Sequence, residues 1–156
     1  MKSVFLEYRT KTYSKLQLIV LTGLRIAIGW HFLQEGLNKV YQPDWSAKTF
    51  LEASNNLCSF LFHYIAENEM LLEISDSVNQ WGQVIIGVSL ILGLLSKPLK
   101  YFGVLLLFLY YLCSFSLGTA HIINSIVIEL LALCILILFP TSYKTGLDSF
   151  LIKHNR

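Results

Sequence analysis

Long apolar runs, each about as long as a bilayer's hydrocarbon core is thick, alternate along this chain with short polar turns. Crossing about 30 Å of hydrocarbon takes roughly 20 helical residues at 1.5 Å each. Four runs approach that length, at about 17–38, 79–96, 98–118 and 121–140. The second is the shortest and needs Asn79 to Gln83 near the interface. The first passes into "EGLNKVYQPDW" without a small-residue cleavage site, so it reads as an uncleaved span rather than a signal peptide. "LLSKPLKYFG" is a tight hairpin whose Pro98 suits the first turn of the third span. Pro140 ends the fourth span, and a short amphipathic tail follows.

Between the first and second spans lies a longer segment, 41–78. Trp45, Phe50, Leu51, Leu57, Phe60, Leu61, Tyr64 and Ile65 recur there at three- and four-residue spacing, which predicts helix. Pro43 and Asp44 read as the stop of one helix and the N-cap of the next. Ser54-Asn55-Asn56 divides the segment into two short helices, lying along the interface or over the outer mouth of the bundle. The expected fold is therefore an all-α membrane protein. It is a four-helix transmembrane bundle with short interfacial helices in the first extracytoplasmic loop, a single domain over residues 1–156.

Composition strengthens the membrane reading. The chain is 54% hydrophobic and only 14% charged, against roughly 25% charged in soluble domains. With the N-terminus in the cytoplasm, Lys2, Arg9, Lys11, Lys15, Lys97, Lys100, Lys144, Lys153 and Arg156 fall on the cytoplasmic side. Lys39 and Lys48 alone fall outside. The positive-inside bias thus places both termini in the cytoplasm. The net charge of +2 comes from these flanks, and no basic patch with interleaved aromatics points to nucleic acid.

Ionisable groups at membrane depth are costly and usually face a bundle interior. By helical rise, Arg25 lies about 12 Å from the cytoplasmic end of the first span and Glu129 about 12 Å from the outer end of the fourth. An Arg25–Glu129 ion pair would tolerate both. His31, Glu35 and Asn38 follow i, i+4, i+7 spacing and share one face. Gly29 and Gly36 thin the helix beside them, leaving room for another helix or a flat ligand. Asn124, His121 and Trp81 fall at matching outer depths. Together these groups predict a polar pocket in the outer half of the bundle, roofed by 41–78. Plainer readings stand beside it: a structural ion pair, a core histidine, solvated interfacial Glu35 and Asn38, and an aromatic belt of Trp30, Trp45, Trp81 and Tyr41.

Cys58, Cys113 and Cys134 form no CxxC pair, which argues against a dithiol relay. Cys58 and Cys113 could meet at the outer face. The four histidines lack metal-ligand spacing, so no metal or haem is expected.

The stretches "LRIAIGWHFLQEGLNKVYQPDWSAKTFLEAS", "VNQWGQVIIGVSLILGLLSK" and "NSIVIELLALCILILFPTSYKTGLDSFL" resemble the DoxX family over nearly the whole chain. Its arginine and G-W/F-x-F-x-x-x-G-x-x-K pattern corresponds to Arg25, Gly29, Trp30, Phe32, Gly36 and Lys39. Its tryptophan–glycine opening the second span corresponds to Trp81-Gly82. Its Asn…Glu and glycine–leucine–aspartate signatures correspond to Asn124, Glu129 and Gly146-Leu147-Asp148. Where the family often has a charged or aromatic lead into the last span, this chain reads "HIINS".

The family includes the DoxD-like small membrane subunit of thiosulfate:quinone oxidoreductase. The resemblance implies a multi-pass protein of the bacterial inner membrane, linked to quinone or sulfur redox chemistry beside a partner subunit or a second copy. A quinone would sit between spans one and four. Arg25, Asn124, Trp81, Gly29 and Gly36 would bind it, and His31, Glu35 and Glu129 would move protons. Catalysis is left open. The competing expectation is a membrane scaffold that docks another envelope protein through 41–78.

Overall fold

The structure, a computed structural model, describes residues 12–55, 58–114 and 124–149, and every regular element among them is helical. Helix α1 spans Lys15–Tyr41 and starts at a reciprocal cap. Gln17 N donates to Ser14 Oγ at 3.2 Å, and Ser14 N donates to Gln17 Oε1 at 3.0 Å, which satisfies two otherwise orphaned amides. Two short helices follow, α2 (Lys48–Glu52) and α3 (Ser59–Glu67), and Ser54 and Asn55 lie outside both. Asp44 does not cap α2. Its N-cap is Ala47, whose amide is bound instead by Asp76 Oδ1 at 2.8 Å.

Helix α4 spans Glu69–Leu92 and begins ten residues before the predicted start at 79. Asn68 caps it by accepting from Leu71 N at 3.2 Å. No glycine or proline interrupts the chain from there to Gly82, so acidic residues near the start only make the first turns polar. Gly93 ends α4 in the left-handed region (φ 65°), which glycine reaches without a Cβ penalty. Helices α5 (Ser96–Ser114) and α6 (Ser125–Leu138) complete the bundle, and a single turn, α7 (Ser142–Thr145), follows Pro140. The predicted span at 98–118 runs past the described part of α5. The predicted start at 121 falls outside the described residues.

Helix α1 packs along α4 more extensively than any other pair. Glycines set this contact. A Cβ on Gly29 would come within 2.9 Å of Leu90 Cβ, one on Gly36 within 2.7 Å of Val84 N, and one on Gly87 within 2.6 Å of Leu33 N. The two backbones run antiparallel at van der Waals distance. Phe32, Ile86, Leu90, Leu106, Leu107, Leu133 and Leu136 fill the core between α1, α4, α5 and α6. A second cluster, Ala47, Leu51, Phe62, Ala66 and Cys113, seats α2 and α3 on the bundle. No disulfide joins Cys58 to Cys113.

Among the described helices, α1 alone is long and apolar enough to cross a membrane. Helix α6 has 14 residues and α4 carries Glu69, Glu73 and Asp76 on its first turns, so neither meets that measure across its whole length.

Candidate functional site

Polar side chains from four helices meet around a cavity of about 280 Å³. Helix α1 supplies His31, Glu35 and Lys39, at i, i+4 and i+8 and therefore on one face. Gln83 comes from α4, Tyr110 from α5, and Ser125 and Glu129 from α6. The floor is apolar, made by Phe32, Leu107 and Ile126.

His31 Nε2 lies 3.0 Å from Glu129 Oε1. The histidine side chain is 48% exposed and the glutamate 19%, so the cavity meets the surface at His31 and Glu129 lies deeper. A protonated His31 facing an ionised Glu129 makes this contact an ion pair across α1 and α6; a neutral His31 makes it a hydrogen bond, donated by Nε2–H to the carboxylate or accepted by Nε2 from the carboxyl.

Lys39 anchors the other wall. Its Nζ donates to Gln83 Oε1 at 2.7 Å and to Tyr110 Oη at 3.0 Å. The Tyr110 hydroxyl also accepts from Gln83 Nε2 at 3.2 Å and donates to Asn79 Oδ1. Asn79 Nδ2 in turn donates to Ser75 O at 2.8 Å. The network is closed from Ser75 to Lys39, and a fully satisfied buried network fixes its members in place. An ammonium has three N–H groups. Two are held here, and the rings of Trp45 and Tyr110 lie 5.2 and 5.1 Å from Nζ.

On the other side of Lys39 lies a larger apolar chamber of about 720 Å³ beneath α2 and α3. Lys39, Tyr110 and Ile126 line both spaces. The site thus has a polar compartment with two carboxylates, an imidazole and an ammonium, and an apolar one on the other side of Lys39, Tyr110 and Ile126.

Several expected site residues lie elsewhere. Arg25 is 2% exposed and belongs to the opposite end of the bundle. Its Nη2 donates to Thr145 O at 3.5 Å, and its guanidinium lies against Gly93 with Asp148 as the neighbouring charge. The expected Arg25–Glu129 pair does not form. A helical Cα–Cβ bond tilts toward the helix N-terminus. In antiparallel α1 and α6, Arg25 therefore leans toward one end of the bundle and Glu129 toward the other. The start of α6 at Ser125 also sets Glu129 only one turn from the helix end.

Gly29 and Gly36 face α4 across the close contact described above, so the space beside them is filled by helix rather than open to a ring. Trp81 is 55% exposed on the outer surface of α4, as is Trp30 on α1. Asn124 is the N-cap of α6, accepting from Val127 N at 3.1 Å. Asn38 is exposed and outside the cavity. His121 lies outside the described residues.

The sequence reading brought His31, Glu35 and Glu129 into its pocket but gave Lys39, Gln83, Asn79, Tyr110 and Ser125 no role there. Two signals were available. Lys39 continues the His31–Glu35 face by one turn, and Asn79 and Gln83 are four apart on a helix that carries few other amides. Among the described residues no group of histidines, cysteines and carboxylates could hold a metal ion. Comparison with family models, with curated proteins and with solved structures gave no significant match.

Proposed function

We propose that this chain is a small integral membrane subunit of a quinone-linked, DoxX-like oxidoreductase, and that a quinone-like ligand binds in the cavity between α1 and α6. The observation that carries this reading is the adjacent pair of compartments. A polar cavity rich in proton-transferring groups lies against an apolar chamber across the shared Lys39, Tyr110 and Ile126, and their volumes of about 280 and 720 Å³ are on the scale of the roughly 300–1,000 Å³ of small-molecule sites. Lys39 takes the anchoring role that the sequence assigned to Arg25, offering its remaining N–H to a quinone carbonyl. Reduction to quinol consumes two electrons and two protons. Glu35 and Glu129 stand where protons are needed, and the half-exposed His31 connects them to the surface. The electrons come from a partner subunit.

The four-span, inner-membrane reading draws support from the direction of the apolar side chains. Ile19, Ile26 and Trp30 on α1, Ile74, Trp81 and Ile85 on α4, Leu105 and Phe108 on α5, and Ile128, Leu131 and Ile135 on α6 all point outward and are exposed. Soluble monomers rarely present contiguous apolar patches above a few hundred Å². In this topology both termini are cytoplasmic. With Cys58, Cys113 and Cys134 replaced by serine, a thiol-specific label applied from outside should modify Asn55→Cys and not Lys144→Cys, and the reverse pattern inverts the topology.

The test of the site is equilibrium binding of a tailless benzoquinone to the full-length protein in lipid nanodiscs. Lys39→Met should weaken binding about 10- to 100-fold, since a hydrogen bond from a charged donor contributes roughly 1.5–3 kcal/mol. Equal affinity in the wild type and in Lys39→Met would remove the ligand from this cavity. Scaffold docking through 41–78 is the second reading. It draws on the exposed Phe60, Leu61 and Tyr64 on α3, and it predicts no quinone affinity at all.

A further inference from the structure

The quinone reading leaves open where the ligand's apolar tail goes, since a tail could trail between α1 and α6 into the bilayer. The chamber beneath α2 and α3 offers a different place. It is bounded by Trp45, Phe50, Leu61, Phe62, Val78 and Leu109, and its lining is overwhelmingly apolar. It shares Lys39, Tyr110 and Ile126 with the polar cavity, so a head held at Lys39 would have the chamber immediately beside it. Its outer edge is open: Phe50, Leu61, Val78 and Leu109 are 42%, 52%, 38% and 39% exposed. An apolar opening of this kind, on the sides of α3, α4 and α5, is a lateral entrance for a molecule arriving from hydrocarbon rather than from water.

The polar–apolar division also runs in one direction. Ammonium, phenol and amide sit at the junction, carboxylates and imidazole lie beyond it, and no ionisable side chain lines the chamber apart from Lys39 and Tyr110 at the junction and Cys113 at its wall. A ligand in register with these walls has a hydrogen-bond-accepting head and a long hydrocarbon tail.

We infer that the chamber beneath α2 and α3 holds the hydrocarbon tail of a bilayer-derived amphiphile whose head occupies the polar cavity. The site therefore selects long-tailed over tailless ligands. The identity of the head rests on the quinone reading; the tail chamber does not.

Trp45 lines the chamber and serves as its reporter. Trp30 and Trp81 are on the outer surface, so a Trp30→Phe/Trp81→Phe background leaves Trp45 as the sole tryptophan. Full-length protein of this background, in nanodiscs, is titrated with a decyl-tailed benzoquinone, its tailless counterpart and a terminally brominated dodecanol, with Trp45 quenching as the signal. The tailed quinone should bind at least tenfold more tightly than the tailless one, and the brominated tail alone should quench Trp45. Ala53→Phe with Val78→Phe fills the chamber from two partly open positions. It should erase the tenfold preference while leaving tailless binding within twofold.

A chamber-filled variant that melts like its parent yet keeps the preference would overturn the inference, with the quinone head site intact. Absence of Trp45 quenching by either tailed probe would overturn it as well. Quenching by the brominated tail with no competition from either quinone would uphold the chamber and end the quinone reading instead.

Discussion

Two clusters of charge lie at opposite ends of this bundle, one buried and one half-open to the surface. At one end Arg25 and Lys100 are 2% and 1% exposed and Asp148 is 7% exposed. Lys100 Nζ is tied to Leu136 O at 2.9 Å, Asp148 Oδ1 accepts from Leu95 N at 2.8 Å, and Arg25 holds Thr145 O. Backbone bonds from Leu147 N to Leu92 O and from Asp148 N to Gly93 O close the knot, at 3.0 and 2.8 Å. Here the charges tie the chain after Pro140 to α1 and to the α4–α5 turn, and α5 to the end of α6, while Arg25 Nε and Nη1 stay buried without a hydrogen-bond partner. At the other end His31, Glu35, Lys39 and Glu129 surround open space. The same residue types thus close a clasp where they meet backbone and line a cavity where they do not. Position in the bundle decides the role.

The largest effect should come from breaking the clasp. Asp148→Ala leaves Arg25 and Lys100 facing each other without a counter-charge, and removing one member of a buried pair costs about 3–5 kcal/mol. Thermal melting in detergent would register this, and removing Arg25 and Asp148 together should cost less than the two single losses summed. Simple additivity would show that the cluster is not a clasp. An intermediate effect is expected between the two ends, where α1 meets α4. A methyl group on Gly87 meets the Leu33 amide and Gly29 carbonyl, which are backbone and cannot turn away. Gly87→Ala should therefore cost about 1–3 kcal/mol as overpacking. No loss would mean that the helices sit farther apart. The smallest effect belongs to the site. His31→Gln should shift stability by less than about 1 kcal/mol, because a half-exposed pair contributes little. A loss as large as that of Asp148→Ala would make His31–Glu129 a second clasp.

The sequence carried the helices further than it carried the contacts. Apolar periodicity located α1, α5 and α6 and the break between α2 and α3, because those features follow from local spacing. The start of α4 was missed because polarity was taken as the end of a helix, when only capping and backbone geometry end one. His31, Glu35 and Glu129 were legible as costly groups at one depth. Lys39 was not, since a lysine near a helix end reads as a solvated flank until Gln83 and Tyr110 are seen to close over it. Arg25 was misplaced because rise along a helix gives depth but not the direction in which a side chain leans. Gly29 and Gly36 read equally as ligand room or helix contact, and only the position of α4 separates the two.

The central claim is that the cavity around Lys39 is a ligand site and the cluster around Arg25 a clasp. The most direct measurement is an experimental structure of the full-length protein in nanodiscs loaded with a decyl-tailed benzoquinone. The expected result is planar density in the polar cavity with an oxygen within hydrogen-bonding distance of Lys39 Nζ, its tail running beneath α2 and α3, and no ligand density beside Arg25. Ligand density against Arg25, with the cavity around Lys39 closed by its own side chains, would contradict it.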